Sequence, residues 1–171
     1  MGKNLTLTGM MGVGKSTLGK KIAKKLKYNF VDVDKVIELK EGLSINLIFK
    51  NKGESYFRKI EKEITLLELK KNNNVISLGG GAFLDAKIRR NVKKTTVSFW
   101  LDVPLNKLIK RLKKNKQRPL LYGKDINEEV KKIYYERKKI YNEADYKIKC
   151  DLLKSEEIVT KILDFYGNPK N

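Results

Sequence analysis

Apolar positions along this chain change period repeatedly, and each change marks a new element. Leu5 and Leu7 alternate with Thr6 and Thr8 as in a strand, whereas Leu18, Ile22 and Leu26 recur at helical spacing. Asn29-Phe-Val-Asp-Val-Asp34 reads as a second short strand, followed by a helix from Lys35 to Glu41. Gly42 interrupts the pattern, Ser44 can cap a short helix carrying Ile45, Ile48 and Phe49, and Gly53 ends it. A longer helix then presents Phe57, Ile60, Ile64 and Leu67 as its buried stripe. Val75-Ile-Ser-Leu78 has the short apolar run of a buried parallel strand.

Further along, Asp85 is placed to cap a short helix holding Arg89 and Arg90, and Thr95 to Leu101 reads as another strand. Pro104 falls in the first turn of the next helix, whose apolar side is Leu105, Leu108, Ile109 and Leu112. Asn127 can cap a helix reaching about Tyr141, Tyr146 to Lys149 forms a last strand, and Ser155 opens a closing helix with Ile158, Ile162 and Phe165 inward. Strands alternating with helices from end to end predict an α/β domain with a parallel sheet. The length of 171 residues suits one such domain, able to bury about 70% of its unfolded surface.

Between the first strand and the first helix stands Gly9-Met-Met-Gly12-Val13-Gly14-Lys15-Ser16-Thr17, which fits G-x-x-x-x-G-K-[ST], the phosphate-binding P-loop. Glycines at 9, 12 and 14 let successive N–H groups turn inward around an anion, and the helix start adds its positive dipole end. Lys15 can reach β and γ phosphates as a point charge, and the Ser16 hydroxyl can ligate a bridging Mg²⁺. Strand, glycine loop and helix come in the order that this chemistry requires.

Composition narrows the rest. There is no histidine and one cysteine, Cys150, so a Cys/His zinc site and an intramolecular disulfide are excluded and the cytoplasm is expected. No run of about 18 apolar residues offers a membrane span, and no signal-peptide pattern precedes the first strand. The formal charge of +19 raises the possibility of nucleic acid, but the lysines are scattered through nearly every segment and form no stripe interleaved with aromatics. Neither a nucleic-acid nor a membrane partner is expected. Against 33 lysines stand six arginines, at 58, 89, 90, 111, 118 and 137. Where lysine is the default cation, an arginine points to a need for its planar fork.

Asp32 and Asp34 end the second strand, where an open parallel sheet borders its ligand crevice. Strand alternation would aim both at the phosphate site, one acting on the metal through water; Asp34 can equally cap the following helix. Arg58 stands beside the buried stripe, free to reach a ligand or to pair with Glu54 or Glu61. Gly79-Gly80-Gly81 closes a strand where one glycine would make a turn, which suggests a close backbone approach to a ligand, or simple flexibility. The polar, basic segment from Lys113 to Lys124 reads as a mobile loop that could bring Arg118 over phosphates, or as an exposed linker.

These segments, taken together, resemble the shikimate kinase family of P-loop enzymes. The likeness rests on Gly9 to Thr17, Phe30-x-Asp32-x-Asp34, Phe57-Arg58-x-Ile60-Glu61, Leu78 to Gly81, Arg118-Pro-Leu-Leu121, and Arg137 followed by Tyr141-x-x-Ala144-Asp145. It implies a three-layer α/β fold of the nucleoside monophosphate kinase type with a mainly parallel five-stranded sheet. One domain would span 1–171, with a helical substrate-binding insertion at about 33–61 and a mobile lid at about 113–124.

It also implies ATP- and Mg²⁺-dependent phosphorylation of the 3-hydroxyl of shikimate by a monomeric enzyme of aromatic amino-acid biosynthesis. Gly12, Val13, Gly14, Lys15, Ser16, Thr17, Arg111 and Arg118 would bind the nucleotide, with Arg111 stacked on adenine. Asp34, Arg58, Gly79, Gly80, Gly81 and Arg137 would bind shikimate, and Ser16 with Asp32 the metal. Lys15, Asp34 and Arg118 would be catalytic, Asp34 by accepting the attacking hydroxyl's proton. The family often has a proline before the last helix, in the adenine loop, where this chain has Ser155. The rivals are gluconate or adenylate kinase, and, in another class, a basic ATP- or nucleic-acid-binding protein without kinase activity. Adenylate kinases usually carry Asp-Gly-Phe-Pro-Arg where this chain has Gly79-Gly-Gly-Ala-Phe83.

Overall fold

The computed structural model describes residues 3–114, 119–121, 123 and 125–168. The leucines and threonines that alternate near the N-terminus form β1 (Asn4–Thr8), the middle strand of a five-stranded sheet. Thr6 and Thr8 are as buried as Leu5 and Leu7, because helices cover both faces of the sheet and leave no polar side for the alternation to mark.

From β1 the chain passes through α1 (Lys15–Leu26) to β2 (Asn29–Asp32), and through α2 (Val33–Glu41) and α3 (Ile45–Leu69) to β3 (Asn74–Ser77). A 3₁₀ turn, Ala82–Leu84, and α4 (Ala86–Thr95) lead to β4 (Thr96–Asp102). Then follow α5 (Leu105–Lys114), a 3₁₀ turn at Pro119–Leu121, α6 (Ile126–Tyr141), β5 (Tyr146–Lys149) and α7 (Ser155–Gly167). The strand order is β2-β3-β1-β4-β5, and every pairing is parallel, so the sheet is more uniform than the mainly parallel one expected. All strand C-termini therefore lie along one rim, and the order reverses around β1, which places a crevice beside the loop that β1 feeds.

Several local expectations are corrected. The second strand stops at Asp32, whose carboxylate accepts from Lys35 N and caps α2, so Asp34 lies in a helical first turn and not in a strand. Gly53 does not separate two helices. It adopts φ 81° and ψ 168° within α3, a conformation suited to glycine, and kinks the helix there. Leu67 is half exposed, because the buried face below the kink passes through Glu61, Thr65 and Glu68 as well as Phe57, Ile60 and Ile64. Asp125, not Asn127, caps α6, accepting from Glu128 N at 3.0 Å. Pro104 sits just before α5 and its carbonyl accepts from Leu108 N.

Asp85 caps α4 through Lys87 N and Ile88 N, as expected, and also binds Lys62 of α3 at 2.7 Å. Asp145, part of the quoted motif, accepts from both N and Oγ of Ser98 and so fastens the α6–β5 turn to β4.

Candidate active site

The loop after β1 closes on α1 with Gly12 and Gly14 at φ 77° and 98°, left-handed values that turn its amides toward one side. Lys15 is buried, and its ammonium donates to Gly9 O at 2.8 Å and Met10 O at 3.0 Å. On the next residue, Ser16 Oγ donates to Asp32 Oδ2 at 2.5 Å, so the two candidate metal-binding oxygens, from α1 and the end of β2, already meet. No group of three or more Cys, Asp or Glu side chains capable of caging a metal occurs among the described residues. Two hard oxygens beside a phosphate loop fit Mg²⁺, which keeps several waters and takes phosphate oxygens for most of its shell.

A cavity opens between this loop and the start of α2, lined by Gly12, Gly14 to Thr17, Asp32 and Asp34 among others. A second, smaller cavity adjoins it, lined by Phe49, Phe57, Arg58, Glu61, Gly81, Leu120 and Arg137. Met11, Asp34, Ile45 and Gly80 belong to both linings. Asp34 thus stands where the phosphate cavity meets the cavity with the two arginines.

The glycine triplet explains itself at this junction, and the close approach is to the protein's own charged side chains. An ideal Cβ on Gly79 would collide with Glu61 Oε1 and lie 2.8 Å from Asp34 Oδ1; one on Gly80 would lie 3.3 Å from Met11 N. One on Gly81 would lie 2.5 Å from Arg58 Nη1. The tripeptide is wedged between the helix carrying Asp34, the P-loop and α3, and any side chain would push these apart.

Both readings of Arg58 hold at once. Nη1 donates to Glu61 at 2.7 Å, Nε and Nη2 donate to Glu54 at 3.2 and 3.0 Å, and the guanidinium still lines the smaller cavity. Burial opposes the charge on Arg58, but the Glu61 and Glu54 carboxylates together hold its pKa above the ordinary guanidinium value. Burial pushes the Glu61 carboxyl above its usual range, reinforced by nearby Asp34 and opposed by Arg58 and Arg137. Arg137, buried on α6, donates to Gly80 O at 2.9 Å, and Tyr141 OH donates to the same carbonyl. The two guanidiniums enter one cavity from α3 and α6, a pairing suited to a carboxylate.

Other expected residues fall as follows. Val13 and Thr17 lie on the loop and first helical turn, Thr17 lining the larger cavity. Arg111 is exposed on α5, with Nη1 at 3.5 and 3.4 Å from the Gly12 and Val13 carbonyls, behind the loop. Arg118 lies outside the described residues, as does much of the expected lid. Ser155 begins α7, and its hydroxyl accepts from Lys21 at 2.7 Å. Sequence reasoning missed Leu120 and Phe49 as cavity walls, and gave Glu61 only as a partner for Arg58; its spacing from Arg58 was the available signal.

Residues 11–166 match the family model for shikimate kinase. The shikimate kinase of Persephonella marina is 44% identical over 161 residues, 94% of this chain and 97% of that relative. A solved shikimate kinase from Acinetobacter baumannii in complex with shikimate has a TM-score of 0.93 at 29% identity, covering 99% of this chain and 97% of that one. The shikimate kinase structure from Aquifex aeolicus has a TM-score of 0.81 at 37% identity, with 96% and 97% covered. With a matched model spanning most of its length and relatives at this identity, the chain belongs to the shikimate kinase family.

Proposed function

We propose that this chain transfers the γ-phosphoryl group of ATP to the 3-hydroxyl of shikimate, giving shikimate 3-phosphate and ADP on the route to aromatic amino acids. The observation that carries the reading is the place of Asp34, on the lining of both the phosphate cavity and the cavity that Arg58 and Arg137 enter. A phosphate donor on one side and a carboxylated polyol on the other would meet at that carboxylate.

Gly12, Val13, Gly14 and Thr17 wrap the nucleotide phosphates, and Lys15 leaves its loop carbonyls to follow the transferring group. Arg58 and Arg137 clamp the shikimate carboxylate, while Gly79, Gly80 and Gly81 line the ring. Asp34 orients the attacking hydroxyl and accepts its proton, the natural role for a carboxylate in a chain with no histidine. Arg111 covers the adenine, and Arg118, from a lid at about 113–124, balances charge on the phosphoryl group. The acceptor segment is about 33–61 within a single domain.

Ser16 directly, and Asp32 through water, would hold Mg²⁺, which when bound neutralises charge on the β and γ phosphates. Transfer is in line, with no covalent enzyme intermediate, and orientation plus charge neutralisation supply most of the acceleration. The enzyme acts as a cytoplasmic monomer without nucleic-acid or membrane partners. No helix among the described residues is long and apolar enough to cross a membrane.

The test is a coupled assay with ATP, Mg²⁺ and separate acceptors: shikimate, gluconate and nucleoside monophosphates. ADP formation is expected with shikimate alone. Turnover of another acceptor, or none with shikimate, would contradict the reading, and salt-sensitive retention of DNA or RNA without turnover would favour a binding protein.

A further inference from the structure

The face of α6 that brings Arg137 to the smaller cavity also carries Tyr134 three residues before it and Tyr141 four residues after it. Tyr141 is fixed to the acceptor side through Gly80 O. Tyr134 is fixed to the other side of the site. Its hydroxyl donates to Asp102 Oδ1 at 3.0 Å, and Asp102 Oδ2 holds the Lys147 ammonium at 3.0 Å. That ammonium in turn lies 4.3 Å from the Trp100 ring centroid. Burial and the Asp102 carboxylate push the Tyr134 hydroxyl up to about 12, so it remains a donor at any working pH.

Asp102 is the last residue of β4, and β4 abuts the P-loop: an ideal Cβ on Gly9 would lie 2.8 Å from Leu101 O. The Tyr134–Asp102 bond therefore ties the helix carrying an acceptor-side guanidinium to the strand end that supports the phosphate loop. A productive site tolerates only about 0.5 Å or 10–20° of misplacement, and a helix pinned on one side of a long side chain alone can still roll. Hydroxyl anchors before and after Arg137 remove that freedom.

We propose that Tyr134, held by Asp102 and Lys147, is a positioning residue that sets Arg137 against the acceptor carboxylate and keeps it in register with the phosphate loop. The proposal rests on the shikimate kinase reading above.

Steady-state kinetics on the full chain test it. Tyr134→Phe keeps the ring and removes the hydroxyl; it is expected to raise the KM for shikimate about 3- to 10-fold while the KM for ATP stays within about 2-fold. Asp102→Ser, which removes the same bond from the other end, gives the same split, and the double variant is no worse than either alone. In an Arg137→Ala background, Tyr134→Phe causes no further rise. An unchanged shikimate KM in Tyr134→Phe, equal rises in both KM values, or an equal further rise without Arg137 would each overturn the proposal while leaving the function intact. A wild-type chain inert toward shikimate would instead remove the functional reading, and this inference with it.

Discussion

The guanidinium of Arg58 occupies the space that a side chain at Gly81 would need, with Nη1 and Cζ 2.5 and 2.8 Å from an ideal Cβ there. Arg58 is itself tethered to Glu54 and Glu61 and cannot withdraw freely. Gly81→Ala should therefore displace it and raise the shikimate KM about 10-fold or more, with ATP affinity unaffected. Titrating shikimate and ATP separately checks this; equal losses for both ligands would mean that the substitution disturbs the fold instead.

Arg58→Lys keeps the charge but loses the fork that lets one guanidinium serve Glu54, Glu61 and a ligand together. The KM for shikimate should rise roughly 10-fold or more, with a smaller change in kcat. An unchanged KM would remove Arg58 from the carboxylate clamp.

Asp85 couples acidity to stability. Burial opposes its ionisation, but the Lys62 ammonium and the Ile88 and Lys87 N–H groups outweigh burial and hold the carboxyl below its ordinary 3.8. A depressed acid means that the folded state binds fewer protons, so its contribution is present above pH 3.8 and lost as the pH falls through the folded value. Asp85→Asn keeps a capping oxygen and loses the charge. It should cost about 1 kcal/mol or less at pH 7, allowing for solvent around Lys62, or roughly 2–4 °C in Tm. Thermal melts should show that gap closing below pH 3.8; a gap constant with pH would contradict the assignment.

Burial pushes the Cys150 thiol up to about 11. At pH 8 the native chain should react with iodoacetamide far more slowly than the same chain in denaturant, because little thiolate forms and access is restricted. Mass spectrometry of the timed reaction decides it, and equal rates in the two states would be the opposing result.

The P-loop, the strand sequence and the arginines worth placing were all legible in the chain, because glycine spacing and apolar period are local properties. What escaped was set by tertiary contacts. Val31-Asp-Val-Asp34 has strand composition, but Asp32 caps a helix that begins at Val33, a β-branched residue kept helical by complete burial. Leu67 fits the apolar spacing, yet polar Glu61, Thr65 and Glu68 take the buried face, satisfied by bonds such as Thr65 Oγ1 to Glu61 O at 2.6 Å. Asp125 and Asn127 were both competent caps, and only the helix start separates them. The three glycines signalled a close approach, but that Asp34, Glu61 and Arg58 are what approaches them depends on α2 and α3 folding back over β3.

Most directly, the account depends on Asp34 acting where the two cavities meet. For Asp34→Asn, kcat with shikimate should fall about 100- to 10,000-fold, while ATP affinity by isothermal titration stays within about 2-fold of wild type. A retained kcat, or losses in ATP binding equal to those in turnover, would contradict it.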